Sequence, residues 1–231
     1  MNKRAAGFTL LELLIGMLLA LITTLAMLTL YRQTARSVFD PDQGSASLSQ
    51  RDGQLMAALL SVQQQAQEAG FGAAGGREQN LQLLSVSDLR LDADGAVSAL
   101  SAAPAASGSA NAAVWRYRPQ LDAGAYACRG VARLGEAGQN SVLYQLQADD
   151  CAAIADALTQ PSLWRARALT GPLPPRHQLS MALRLEQPCW PYAAATAASQ
   201  TFPQLLLNYD NAQQGEARSF ASCLTNLAAP A

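Results

Sequence analysis

From Phe8 to Leu30 the chain carries one ionisable side chain, Glu12, in an otherwise uncharged and mostly apolar run. At about 1.5 Å per residue a helix of that length reaches roughly 34 Å, enough to cross the hydrocarbon core of a bilayer. Such a rod has to be covered by lipid or by other rods, so everything after it reads as a domain hung on an anchor. Glu12 is the anomaly, because a carboxylate inside an apolar span costs on the order of a few kcal/mol and is retained for a task. A secretory signal peptide also pairs a basic stretch with an apolar core, but that core runs about 7 to 15 residues to a small-residue cleavage site. Here the run continues into Leu28-Thr29-Leu30-Tyr31-Arg32 without one.

The stretch Lys3-Arg4-Ala5-Ala6-Gly7 before Phe8-Thr9-Leu10-Leu11-Glu12-Leu13-Leu14 resembles the prepilin signature of type IV pilins and type II secretion pseudopilins, and departs from it nowhere. The resemblance implies that a membrane peptidase cleaves after Gly7 and methylates the new amino terminus at Phe8. It also implies that the Glu12 carboxylate serves subunit assembly. The physical chemistry of the same residues agrees. Cleavage would place an ammonium at Phe8, one helical turn from Glu12. In staggered neighbouring rods the Glu12 of one subunit can meet the Phe8 ammonium of the next, and low dielectric strengthens the pair while penalising registers that leave either charge alone. A plain alternative is a glutamate snorkelling to the headgroups near the helix end.

The 231 residues, half of them hydrophobic, leave room for one membrane rod and one globular domain. Sixteen basic and 17 acidic side chains give a formal charge of -1, which argues against nucleic acid as a partner. Lys3 and Arg4 suit a cytoplasmic amino terminus, but Arg32 and Arg36 beyond the span balance them, so orientation rests on the resemblance. The four cysteines, Cys128, Cys151, Cys189 and Cys223, all follow the span. An even count in a domain expected outside the cytoplasm favours disulfides. Three pairings are open, and Cys128 with Cys151 plus Cys189 with Cys223 is preferred because it closes the shorter loops. A four-thiolate zinc site lacks any Cys-x-x-Cys pair, so no metal is expected.

After Tyr31 the helix is expected to continue as a more polar rod and to kink or break at Phe39-Asp40-Pro41-Asp42-Gln43-Gly44, where proline and glycine weaken it. From Ser45 on, Leu48, Leu55, Leu59, Val62, Ala66 and Ala69 recur at amphipathic-helix spacing, and Gly70-Phe71-Gly72 supplies a left-handed stop. The run Gln63 to Gly72 is similar to the helix-ending segment of PilW-type minor pilins, although Gln65-Ala66-Gln67 stands where members often carry Asp-Leu-Arg. Beyond Gly76 the period shifts to two. Leu179, Met181, Leu183 and Leu185 alternate with polar or small residues, as do Ala113, Trp115 and Tyr117, and residues 141–147 and 204–209 are further strand candidates. The expected fold is α+β: a long amino-terminal helix, half membrane-spanning and half amphipathic, packed on an antiparallel β-sheet domain whose other face meets solvent or loops. The segments are residues 1–7 as leader, 8–37 as membrane and filament-core helix, 45–70 as amphipathic helix and 77–231 as extracytoplasmic domain. Residues 96–112 and 193–200, rich in Ala, Ser and Gly, are expected to be surface loops, and Thr170 to Pro175 an extended connector.

Catalytic signals are weak. His177 follows Pro174-Pro175-Arg176 and reads as a surface loop residue. There is no Gly-x-Ser-x-Gly elbow and no Walker loop, and Gly70-Phe71-Gly72 closes a helix instead of following a strand. Leu91-Asp92-Ala93-Asp94-Gly95 reads as a tight turn because later calcium ligands are missing. Trp115, Tyr117, Trp164, Trp190 and Tyr192 read as core and edge packing, the last two against a disulfide, with a recognition surface as the competing idea. The resemblance therefore implies a non-enzymatic minor pilin without cofactor, taking part in the initiation or tip of a type IV pilus. Its partners would be prepilin peptidase, other minor pilins, the major pilin and inner-membrane lipid. It would sit in the inner membrane with its domain in the periplasm, then in the filament. The alternatives are a J-type minor pseudopilin of a type II secretion system and an inner-membrane-anchored periplasmic binding protein.

Overall fold

A computed structural model describes residues 10–40, 44–120, 124–135, 139–175, 177–189, 201–211 and 216–227. The chain divides into two units, one reaching Asp52 and the other starting at Gly53. The first holds helix α1, Leu10–Phe39, and the opening of helix α2, Ser45–Ala66. Between the helices the Gly44 N–H donates to the Asp40 carbonyl at 2.9 Å. A Cβ at Gly44 would lie 2.5 Å from the Asp40 oxygen and 2.6 Å from the Val38 oxygen, so the chain can fold back this closely only on glycine. The Ser47 hydroxyl donates to the Gly44 carbonyl at 2.8 Å. Pro41 lies outside the described residues; as expected, the first helix stops at Phe39 and the next starts at Ser45.

In the second unit α2 buries Leu55, Ala58, Leu59, Val62 and Ala66. Each large member contributes roughly 1.5–3 kcal/mol by leaving water. Leu48, expected to head this stripe, is only half-buried and outside the core. The helix also stops short of Gly70. After Ala66 the bonds tighten to the i−3 pattern, Glu68 N–H to Gln65 O at 3.0 Å and Ala69 N–H to Ala66 O at 3.0 Å. Gly70 then takes φ +78° and donates its N–H to the Arg116 carbonyl at 2.8 Å.

Six antiparallel strands form the first sheet: β1 Leu81–Leu91, β2 Val97–Pro104, β3 Ala112–Tyr117, β4 Ala127–Leu134, β5 Val142–Ala148 and β6 Arg165–Ala168, in the order β2-β1-β3-β4-β5-β6. Three more, β7 His177–Pro188, β8 Thr201–Asn211 and β9 Glu216–Cys223, form a second sheet in sequence order. Residues 97–104 are thus a strand where a loop was expected. Their side chains carry little signal, but the Asp92–Gly95 turn, with Gly95 at φ +82°, closes a hairpin that sets Leu100 opposite Leu89. Residues 193–200 lie outside the described residues.

The first sheet curls on itself. The Val97 N–H donates to the Trp164 carbonyl at 3.0 Å and the Ala166 N–H to the Gly95 carbonyl at 2.9 Å, bringing the β1–β2 turn onto β6. Period two then gives β3 two buried faces. Ala113, Trp115 and Tyr117 join a core with α2 and the inward residues Leu179, Met181, Leu205 and Leu207 of the second sheet. Ala112 and Val114 join a second core inside the curl, closed by Ile154 and Ala157 of the short helix α3, Ile154–Leu158, and by Trp164. The connector between β2 and β3 ties the sheets together, with Met181 N–H of β7 donating to Ala110 O at 2.8 Å and Leu183 N–H to the Ser107 hydroxyl at 2.8 Å.

Cys128 is bonded to Cys151 and Cys189 to Cys223, with no free cysteine among the described residues. The first bridge pins the segment that lids the second core onto β4, and the other joins the ends of β7 and β9 across β8. The sequence separation of the first is 23 residues, for which chain entropy gives about 3 kcal/mol of stabilisation. Replacing Cys128 and Cys151 together by serine lowers the unfolding free energy by that amount. Urea denaturation of the full chain in detergent checks it, and an unchanged midpoint would show the bridge to be dispensable.

Candidate functional site

Helix α1 is the one helix among the described residues long and apolar enough to cross a membrane. None of its residues is buried. Leu10 is 77% and Met27 71% exposed, a continuous apolar surface that a water-facing helix does not tolerate. Its 30 residues reach about 45 Å, longer than a bilayer core, and Arg32 and Arg36 fall in the last turns beyond the apolar stretch.

The span is built to satisfy its own polar groups. The Thr23 and Thr24 hydroxyls donate to the Ala20 carbonyl at 2.9 and 2.7 Å, Thr29 to Ala26 at 2.8 Å, and Thr34 to Leu30 at 2.9 Å. Each hydroxyl thereby folds its donor back onto the helix, where a bilayer offers none of water's acceptors. A carboxylate cannot do this. Glu12 stands in the first turn of α1, where the helix dipole favours negative charge. Its chemistry is that of a single anion at the end of a greasy rod, and its natural complement is a cation at the same depth. Gly7 and Phe8 lie outside the described residues.

The other candidates from the sequence are packing elements. Trp115 and Trp164 are fully buried, and Tyr117 nearly so. The Trp164 indole donates to the Ala157 carbonyl at 2.8 Å. Trp190 and Tyr192 lie outside the described residues. His177 is the clear correction. It is 3% exposed at the start of β7, with Nδ1 2.6 Å from the Tyr209 hydroxyl and the two rings stacked at 5.8 Å. The prolines before it end at the strand, and the strand's inward face takes the imidazole. Among the described residues no group of His, Cys, Asp and Glu could hold a metal.

Sequence reasoning missed the arginines of β3 and β4. Arg116 donates from Nε to Asn80 Oδ1 at 2.9 Å and from its terminal nitrogens to the Ala74 and Ala152 carbonyls, while its guanidinium lies 4.5 Å over the Tyr126 ring. Arg129 pairs with Glu68 at 2.5 Å and lies over Tyr117. Burial pushes the Tyr117 phenol above its usual range despite that guanidinium, and the Arg118 hydrogen bond holds Tyr126 below it. These groups stitch the turn after α2 to the sheet. The available signal was arginine at inward positions of strands otherwise short of charge.

No curated protein and no solved structure matches the chain. Residues 2–28, which contain Glu12 and most of the span, match the family model described as a prokaryotic N-terminal methylation motif.

Proposed function

We propose that the chain is a non-enzymatic minor pilin of a type IV pilus, of the PilW type, acting in the initiation of pilus assembly or at the pilus tip. The observation that carries this reading is the methylation motif over residues 2–28 running into a fully exposed apolar helix that retains Glu12. Residues 1–7 are a leader, and prepilin peptidase cleaves between Gly7 and Phe8 and methylates Phe8. The subunit waits in the inner membrane with its disulfide-bonded domain in the periplasm. It then joins other minor pilins and the major pilin, its Glu12 meeting the Phe8 ammonium of a neighbour. Adhesion, twitching or DNA uptake follows from the filament, without a cofactor. Support for the PilW type is the turn that follows α2, closing on Gly70-Phe71-Gly72 with Gly70 at φ +78° and Gly72 at φ +60°.

Mass spectrometry of the purified chain tests the first step. The expected mature terminus is N-methylated Phe8. An intact Met1 in peptidase-competent cells would overturn the reading.

A further inference from the structure

Arg116 is 9% exposed, and on β3 it follows Ala112 and Val114 at period two, opposite Cys128 of β4. Its guanidinium is met by acceptors from two distant parts of the chain. From the turn after α2 come Asn80 Oδ1, which takes Nε at 2.9 Å, and the Ala74 carbonyl, which takes a terminal nitrogen at 2.8 Å. From the disulfide segment comes the Ala152 carbonyl, one residue past Cys151. Among the described residues no carboxylate pairs with Arg116, so neutral oxygens and the Tyr126 ring, 4.5 Å away, offset a buried charge. Neither side can withdraw without leaving that charge short of an acceptor. Each side has a second tie to the same place. The Gly70 N–H donates to the Arg116 carbonyl and the Arg118 N–H to the Phe71 carbonyl, both at 2.8 Å. The Cys151 N–H donates at 3.0 Å to the carbonyl of Tyr126, whose hydroxyl accepts from Arg118 at 2.9 Å.

We propose that Arg116 couples the Cys128–Cys151 bridge to the seat of α2, so that the bridge is a redox latch. With the disulfide formed, Ala152 completes the acceptors of the guanidinium and the turn from Gly70 to Asn80 is held on β3. With it reduced, the segment carrying Ala152 is released and the turn loosens with it. The step is a thiol–disulfide exchange. A thiolate of a dithiol reductant attacks one sulfur of the bridge to form a mixed disulfide, and its second thiol then closes the reductant's own disulfide. Cys128 and Cys151 take up the two electrons and two protons as thiols. The cysteines are 0% and 1% exposed, so exchange requires local opening, and whatever holds the segment also sets how readily the bridge is reduced. Such coupling is reciprocal. It belongs to the domain and is independent of how α1 is processed or assembled.

The test reads both directions in the full chain in detergent micelles. In C128S/C151S, which stands in for the reduced bridge and leaves Cys189–Cys223 intact, backbone order parameters from Gly70 to Asn80 should fall from about 0.85 to below about 0.6, with β7 and β8 unchanged. N80A removes an acceptor of Arg116 without touching the bridge. Equilibrated with dithiothreitol, alkylated and read by mass spectrometry, its Cys128–Cys151 pair should shift toward the dithiol by about tenfold, or about 30 mV, while Cys189–Cys223 does not move. R116K, which keeps the charge but not the fork of donors, gives the same reading should N80A fail to fold. Order parameters unchanged in C128S/C151S, or lowered equally in β7 and β8, would make the bridge a plain staple. An unchanged equilibrium in the folded variant, or an equal shift of both bridges, would remove the part of Arg116. Each of these overturns the proposal.

Discussion

Glu12→Ala leaves the chain in the membrane and lowers its recovery in sheared filaments by about a hundredfold or more, the equivalent of roughly 3 kcal/mol for breaking a buried ion pair by removing one partner. Insertion should survive, because alanine removes the one charge that opposes the apolar run from Leu10 to Tyr31. Incorporation should not, because a neighbour's ammonium then has no counter-charge at that depth and no water to replace it. Glu12→Gln separates charge from size. It keeps the side chain's length and hydrogen-bonding capacity, so a loss close to that of alanine assigns the effect to the charge. The measurement is the ratio of tagged subunit in the filament fraction to that in the membrane fraction. A ratio unchanged in both variants would leave Glu12 as a snorkelling headgroup contact and remove its assembly role.

How much of this molecule could be read from the chain depends on where side chains, as opposed to backbone pairing, carry the information. The α1 span and the α2 stripe from Leu55 to Ala66 were legible because large apolar residues recur at helical period and nothing else satisfies that pattern. Strands β5, β7 and β8 were legible for the same reason at period two. Strand β2 was not: Val97-Ser98-Ala99-Leu100-Ser101-Ala102-Ala103 has the composition of a loop, and it is held by the ladder to Leu84–Leu91 and by the glycine turn before it. His177 misled because proline punctuation marks where a connector ends but not which face the next residue takes. The curl of the first sheet gave no signal either, because it rests on the Val97 and Ala166 amides meeting the Trp164 and Gly95 carbonyls, a backbone pairing that no side-chain pattern announces.

The same dependence on closure sets the largest stability effect expected in the domain. Trp164→Ala lowers the unfolding free energy by about 3–5 kcal/mol, the range for truncating a buried aromatic. Trp164 is 0% exposed and is the largest side chain of the second core. It also acts through its backbone, since its carbonyl accepts the Val97 N–H that brings β2 onto β6, and its indole caps the Ala157 carbonyl at the end of α3. Alanine keeps the carbonyl but removes the ring that positions it, so the curl should loosen together with the core. Trp164→Phe divides the two contributions: it preserves most of the apolar volume, loses the 2.8 Å bond to Ala157, and should cost about 1–3 kcal/mol for the orphaned carbonyl and the smaller ring. Urea unfolding of the full chain in detergent reads both, and hydrogen exchange at the Val97 amide reads the curl directly. If that amide stays protected in Trp164→Ala while global stability falls, the closure of the first sheet belongs to its backbone ladder and Trp164 is core packing alone.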